Sequence, residues 1–592
     1  MTTILINSVE AILPVGMELN FVSENAYFSR SSNYTLDIDL PMPVNSLIFG
    51  NINRLSMSKN KIIYPASIYV DGRCILSGSA VVVQVGDSLV KIQLVAGNAE
   101  FNLLTNDNIY LDEIDLGEIK FPYPANTNGF LPIDKYVTYY GSIDDGQEIV
   151  WLPVLYEEDK LLNSPCYEFG TDAFQPAPYG VSSPPCIQPY LLTVIKRVVE
   201  FFGYKFNDSI FNNSFIRHIY VVNALATTKI TKALPHWTIS EFFNEIENFL
   251  GAITLVDERT KEVVFIPLNN YFNNIDLELI DRSQIIDQYE VDITDSENDK
   301  DIGSSNISYD LGQQADDGYY RMDKTVFAQA SKIEYTSYDD LKNAWAAIGD
   351  KDDKKYNNIF VANRRYYINY KVDDKNTLRE VNLYGDLIRD SEDDSAVDLR
   401  IVPAKIVQYN IGLYGSIAEF HLNRPYVPLK INIPFASYHG SVVSNGSFNV
   451  QEVIEGNITL EKQREKNDKL EVAINTGVLN VQKVTYQNQT HSYHYAYPFT
   501  DYMQKTNEQT TDFLPYSLSL NDLCEDSMGH RLAPIKTFHS GVTYCFSFVS
   551  EFIPDVKKVF LIANQRYLCE KIELGITADG LNKIMKGYFY KI

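Results

Sequence analysis

The stretch Leu234–Leu268, LPHWTISEFFNEIENFLGAITLVDERTKEVVFIPL, reads as a complete small module. Thr238 and Glu241 have the Thr-x-x-Glu spacing of a capping box, in which side chain and backbone satisfy each other's free amides at a helix start. Phe242, Phe243, Ile246, Phe249 and Leu250 recur at helical spacing, and Gly251 supplies a stop. The runs AITLV and KEVVFIPL flank the turn DERT and predict a hairpin whose apolar face closes on that helix. A helix reaching about Leu250 followed by two strands is an α+β unit, and none of its residues forms a catalytic pattern.

Working outward, QPYLLTVIKRVVEFFGYKF predicts a second helix. Leu191, Val194, Ile195, Val198, Phe201 and Phe202 mark its apolar face, with Thr193, Lys196, Arg197 and Glu200 opposite. Pro189 suits its first turn and Gly203 its left-handed end. The first hundred residues are strand and turn: NYTLDIDL alternates with period two. PASIYVDGRCILSGSAVVVQVGDSLVKIQLV reads as four short strands divided at Asp71-Gly72, Gly78 and Gly86-Asp87. That pattern suggests a small barrel or sandwich.

Proline density between Phe121 and Pro189 opposes regular structure and predicts long connections or an irregular insertion. From Val291 to Ala404 acidic loops separate strands such as RYYINYKV, and YDDLKNAWAAI predicts one short helix ending at Gly349. Strands resume after Val407 and run to the last residue, which implies a C-terminus pinned into a sheet. The expected class is α+β, mostly β and multidomain: small β-barrel or sandwich domains with an inserted helix-plus-hairpin module. Expected limits are 1–120 for a β-barrel-like domain, 121–290 for the Pro-rich connection and α+β module, and 291–425 and 426–592 for two further β-rich domains.

The chain has 592 residues, too long for one hydrophobic core. Its 51 basic against 77 acidic residues give a net charge of −26. Such a surface repels phosphate, so reading a nucleic-acid sequence through a basic face is not expected. No signal peptide or run of ~20 apolar residues stands out, so neither Sec export nor a membrane anchor is expected. Six cysteines without a CxxC pair read as reduced core thiols.

Chemical signatures are missing. There is no GxxxxGK[ST], GxGxxG after a strand, HExxH or GxSxG. His491 and His494 lie three apart in a Tyr-rich segment expected to be extended, and on a strand such residues point to opposite faces. Asp295, Glu297 and Asp299 alternate like calcium ligands, but Lys300 stands where the loop needs glycine and no acid closes it. Asp350, Asp352 and Asp353 fail similarly, and solvated acidic loops account for both groups. Cys545 with His530 or His539 could pair as thiol and base, yet TYCFSFV alternates as a buried strand, where a core cysteine is the commoner case. Paired carboxylates for sugar hydrolysis have no sequence signature to test. No catalytic, cofactor-binding or metal residue is therefore assigned, no cofactor is expected, and the chain is expected not to be an enzyme.

The order of elements resembles the baseplate hub or tail-tip proteins of tailed bacteriophages and related contractile injection machines. Three stretches carry the resemblance: PASIYVDGRCILSGSAVVVQVGDSLVKIQL, the helix and helix–hairpin pieces at 188–206 and 234–268, and VFLIANQRYLCEKIELGITADGLNKIMKGYFYKI. The Pro-rich stretch and the long C-terminal block depart from the simplest hub plan. The resemblance implies a structural virion protein assembled in the host cytoplasm, a homotrimer joining the tail tube to the tip on the DNA exit path. Implied partners are tube-end or distal-tail, tape-measure, and spike or receptor-binding proteins. It also predicts an acidic axial wall that lets DNA slide, with loops Asp295–Asp301, Asp350–Asp353 and Asp390–Asp394 as candidates; solvation on the outer rim explains them equally well. Rival readings are a carbohydrate-binding or carbohydrate-active β-rich protein, weakened by only 3 Trp, and another tail part such as a distal-tail ring or adsorption protein.

Overall fold

In the computed structural model the helix–hairpin stretch folds as the sequence dictates. The helix Ile239–Leu250 starts at Thr238, whose hydroxyl accepts from the Glu241 amide at 3.2 Å while the Glu241 carboxylate accepts from the Thr238 amide at 2.8 Å. It ends at Gly251 in the left-handed region (φ 54°), and the hairpin pairs Ala252–Val256 with Glu262–Pro267. Phe242, Phe243, Ile246, Phe249 and Leu250 are all buried. Thr238→Ala should cost about 1 kcal/mol of this module's stability. Chemical denaturation of the variant measures the loss, and an unchanged midpoint would contradict the cap's role.

The structure describes residues 1–57, 62–105, 109–119, 186–225, 227–268, 276–286, 289–293, 330–348, 358–362, 397–413, 427–436, 469–475, 516–520, 526–532 and 542–592, with short segments between them. The acidic loops expected at Asp295–Asp301, Asp350–Asp353 and Asp390–Asp394, with Gly349, His539 and Cys524, lie outside these residues, as does most of the Pro-rich region.

The class is α+β, mostly β and multidomain, with separate hydrophobic cores. The largest sheet has 14 strands. Its path runs Val9–Glu10, Thr2–Ile6, Ile63–Val70, Arg73–Val85, Leu89–Ala96, Asn33–Thr35, Leu19–Glu24, Gln565–Thr577, Gly580–Lys591, Val542–Val549 and Glu290–Ile293. Ile38–Pro41, Val559–Ile562 and Leu277–Ile280 attach beside this path. Among the described residues the path has two ends, so of the expected barrel or sandwich no closed barrel forms, and the open sheet wraps one core that holds Ile4, Ile68 and Leu94 together with Phe560, Ile572 and Phe589.

Both ends of the chain thus share this sheet. Leu19–Glu24 runs antiparallel to Gln565–Thr577, and the Met1 ammonium donates to Asp71 at 2.5 Å and to the Asp579 carbonyl at 3.1 Å. Asn25 clamps the joint: its side-chain amide donates to the Val556 and Cys569 carbonyls at 3.0 and 2.9 Å, and its oxygen caps Tyr27. The C-terminal strand is pinned as expected, with the Ile592 amide donating to the Arg566 carbonyl.

Three local expectations need correction. The segment read as four short strands forms three, because Gly78 lies inside Arg73–Val85 rather than ending a strand. A Cβ there would sit 2.1 Å from the Val95 carbonyl oxygen, so glycine permits the close approach of Leu89–Ala96. Asp71-Gly72 is the two-residue turn expected, with both φ positive. In the helix Leu191–Phe201 the N-cap is Tyr190, so Pro189 precedes the first turn and instead pairs with Ile149. Phe201, expected inside, is 46% exposed, while Thr193 and Val199 are buried. The last turn runs past the core edge before Gly203 (φ 81°) turns the chain.

A central core gathers both helices, the hairpin, and the strands Ile219–Val221, Leu470–Ile474 and Ile401–Pro403, which pair as a small sheet. Tyr338–Ala346, capped by Ser337, packs Leu341 against Phe360, Ala362 and Tyr367 in a separate small core. That helix ends at Ala347, two residues before the expected Gly349.

Candidate functional site

The hairpin turn Asp257–Lys261 does more than reverse the chain. Asp257 accepts from the Arg259 and Thr260 amides, which holds its carboxyl below the usual range, and it tightens the turn so that Glu258 projects into the 14-stranded sheet. Glu258 accepts from the Asn33 side chain and from the Ser77 amide at 3.3 Å. Burial raises its pKa, against the lowering effect of those bonds and of Lys557.

Neighbouring contacts join the module to the same sheet. The Asn98 side chain donates to the Thr254 carbonyl at 2.6 Å and accepts from the Val256 amide at 3.0 Å, replacing a missing strand neighbour. Lys261 pairs with Glu100, which also accepts from Ser79 at 2.6 Å. Arg30 pairs with Glu247 at 2.9 Å, and burial raises the Glu247 pKa despite that partner. Charged groups that alone would be costly to bury are therefore satisfied across the joint.

Beside this joint lies a cleft of about 670 Å³, bordered by the sheet, the hairpin turn and the segment 551–557. Arg73, Lys557 and Lys583 face it together with Glu24, Glu258, Glu551 and Asp555. The Arg73 guanidinium lies 4.7 Å from the Phe552 ring centre, and Lys583 meets Glu551 at 3.0 Å. Its hydroxyls and thiol are committed to structure. Ser23 donates to Asn33, Ser32 to the Ala96 carbonyl, and Cys74 to the Leu76 carbonyl. No histidine lines the cleft. The carboxylates Glu24, Glu258, Glu551 and Asp555 therefore border a cleft whose hydroxyls and thiol already donate to structural acceptors.

Glu258 predicts a pH effect. A carboxyl whose folded pKa exceeds its unfolded value favours folding below the unfolded value, near 4.5, and loses that contribution as pH rises through the folded pKa. Glu258→Gln should therefore gain stability relative to the wild type as pH rises from about 4 to 7. Thermal melts across that range test it; a stability gap independent of pH contradicts the buried carboxyl.

Of the sequence candidates, Asp295, Glu297, Asp299, Asp350, Asp352, Asp353 and His539 lie outside the described residues. His491 and His494 lie on the strand Gln489–Ala496, extended as expected. Cys545 is buried in Val542–Val549, and burial pushes its thiol pKa up; burial likewise pushes Cys186 up to about 12 and Cys569 well above its usual value. Such thiols are poor nucleophiles. Among the described residues Cys74, Cys186, Cys545 and Cys569 form no disulfide, and no group of three or more His, Cys, Asp or Glu is placed to hold a metal. No described helix is long and apolar enough to cross a membrane. Glu258 and Asn98, the residues that make the joint, carry no sequence signature: one sits in an ordinary turn and the other at the start of the short helix Asn98–Thr105.

No protein-family model matches the chain, and no curated protein matches it. Among solved structures, it aligns with the 43 kDa tail protein of prophage MuSo2 from Shewanella oneidensis at 6% identity, over 100% of this chain and 97% of that one, with a TM-score of 0.27. The tail protein from Neisseria meningitidis MC58 aligns at 7% identity over 100% and 95%, again with a TM-score of 0.27. Similarity at this level carries no structural or functional argument, and the functional reading rests on the chain's own residues.

Proposed function

We propose that the chain is a structural protein of a phage tail, and within the tail a baseplate hub or tip component that joins the tube to the distal tip on the DNA exit path. The observation that carries the reading is the joint itself. A helix–hairpin module is welded to a sheet made from both ends of the chain by Asn98, Glu258, Glu247 and the Lys261–Glu100 pair. The groups invested there hold shape, and the hydroxyls and thiol of the adjoining cleft are tied to neighbours. A part that transmits load between a tube and a tip needs that rigidity and needs no turnover. The partners proposed with it are further copies of the chain as a homotrimer, the tube-end or distal-tail protein, the tape-measure protein, and a spike or receptor-binding protein.

Quantitative mass spectrometry of purified particles from a strain encoding the chain tests the assignment. The chain should be present in the tail fraction, at a small copy number divisible by three. Absence from particles overturns the reading. So does polysaccharide cleavage by the purified protein that disappears on substituting a single carboxylate.

A further inference from the structure

The 14-stranded sheet ends in two surfaces of opposite character. At the Val9–Glu10 end, the loops at 11–17 and 42–57 are tied together by Asn45, which donates to the Ile12 carbonyl at 2.9 Å and accepts from the Ile12 amide at 2.8 Å. These loops present Ile12, Val15, Val44, Leu47, Leu55 and Met57 to solvent; Leu47 is 84% and Leu55 95% exposed. From Leu40 to Val70 the chain has no acidic residue, although acids make up about one residue in eight overall, and Arg54, Lys59 and Lys61 fall within that span.

The far end is the reverse. Glu290–Ile293 is bonded on one side only, to Val542–Val549, and Leu277–Ile280 only to Val559–Ile562, among the described residues. These edge strands present Leu277, Leu279, Val291 and Ile293, the last 77% exposed. Between Asp276 and Ile293 lie six acids, Asp276, Glu278, Asp281, Asp287, Glu290 and Asp292, against one base, Arg282; Lys558 and Lys586 of adjoining segments meet Glu278 and Glu290 at 3.6 and 3.9 Å, so the acids still outnumber the bases six to three. Unpaired edges with exposed apolar residues favour strand addition and association.

We propose that the acid-free loop surface of one copy docks on the acidic edge of a second copy, apolar residue against apolar residue and Arg54 toward the edge carboxylates. Opposite charge steers the encounter and fixes its register, and the apolar side chains provide the area that water leaves. Because the two surfaces differ, the contact is heterologous: each copy offers one of each, and the chain of contacts closes as a ring or grows. The proposal rests on the self-assembly part of the function above and names its surfaces.

The test uses the full chain and two variants, Leu47→Asp with Leu55→Asp on the loops, and Leu279→Lys with Ile293→Lys on the edge. All four positions are exposed, so circular dichroism and melting should match the wild type. In sedimentation velocity the wild type should associate with rising concentration, more weakly in high salt. Each variant alone should bind itself at least tenfold more weakly. Mixed, the two variants each retain one intact surface and should form a one-to-one pair that goes no further. A wild type monomeric at all concentrations overturns the proposal, as do variants that assemble like the wild type. Binding of the monomer to vesicles of phosphatidylcholine and phosphatidylglycerol, lost in the loop variant, overturns it in favour of a membrane surface. Self-association through these surfaces in a chain absent from virions would end the tail assignment and leave this proposal standing.

Discussion

Trp237→Ala should destabilise the central core by about 3–5 kcal/mol, the range for emptying a large aromatic site. Trp237 is 1% exposed and immediately precedes the cap Thr238, so it occupies the position from which an apolar residue packs on the fourth helical residue, here the fully buried Phe242. Its carbonyl accepts from the Leu111 amide at 2.8 Å, and the Arg400 guanidinium lies 4.7 Å from its ring centre. Arg400 in turn bonds Glu245 at 3.0 Å, which explains a carboxylate buried on a helix that the pattern would keep apolar. Removing the ring leaves a cavity and exposes that ion pair to rearrangement. Phe201→Ala, on the exposed last turn of the neighbouring helix, is the control and should cost less than about 1 kcal/mol. Calorimetry of both variants decides the matter: a Trp237→Ala transition within a degree of the wild type would refute this account of the core.

Deleting Gly580–Ile592 should unfold the sheet strands at the other end of the chain, within residues 1–105. The strand Gly580–Lys591 lies between Gln565–Thr577 and Val542–Val549, and its Met585 and Phe589 are fully buried. Phe589 packs its ring against Phe546, Phe560 and Tyr567 at centre distances of 5.0–6.3 Å. Without this strand Gln565–Thr577 keeps Val559–Ile562 along residues 565–568, but the part that Leu19–Glu24 pairs with, residues 571–576, loses its other neighbour. The two halves of one core cannot separate at small cost, because their buried apolar surface returns to water together. Limited proteolysis should show residues 1–105 cut readily in the truncated chain and protected in the full one. Equal protection in both would mean that the N-terminal strands fold alone.

The sequence by itself determined the elements whose determinants lie within a few residues of one another. Thr238 with Glu241, the Phe-rich spacing and Gly251 specify the helix Ile239–Leu250 because caps and i, i+4 contacts are local interactions. Asp71-Gly72 specifies its turn because only small or permissive residues accept positive φ at both positions. Tertiary structure decided what depends on distant partners. Gly78 reads as a turn, yet it lies inside a strand because the Val95 carbonyl approaches it. Phe201 reads as core, yet the helix outruns the surface that would cover it. The joint made by Asn98, Glu258 and Lys261 is invisible in the sequence, since its partners lie 156 to 225 positions away, and spacing carries no information about such pairs. So too with the closing of the sheet by both chain ends: each strand's alternation says that it pairs, but the choice of neighbour follows from which apolar faces bury each other best once the whole chain collapses.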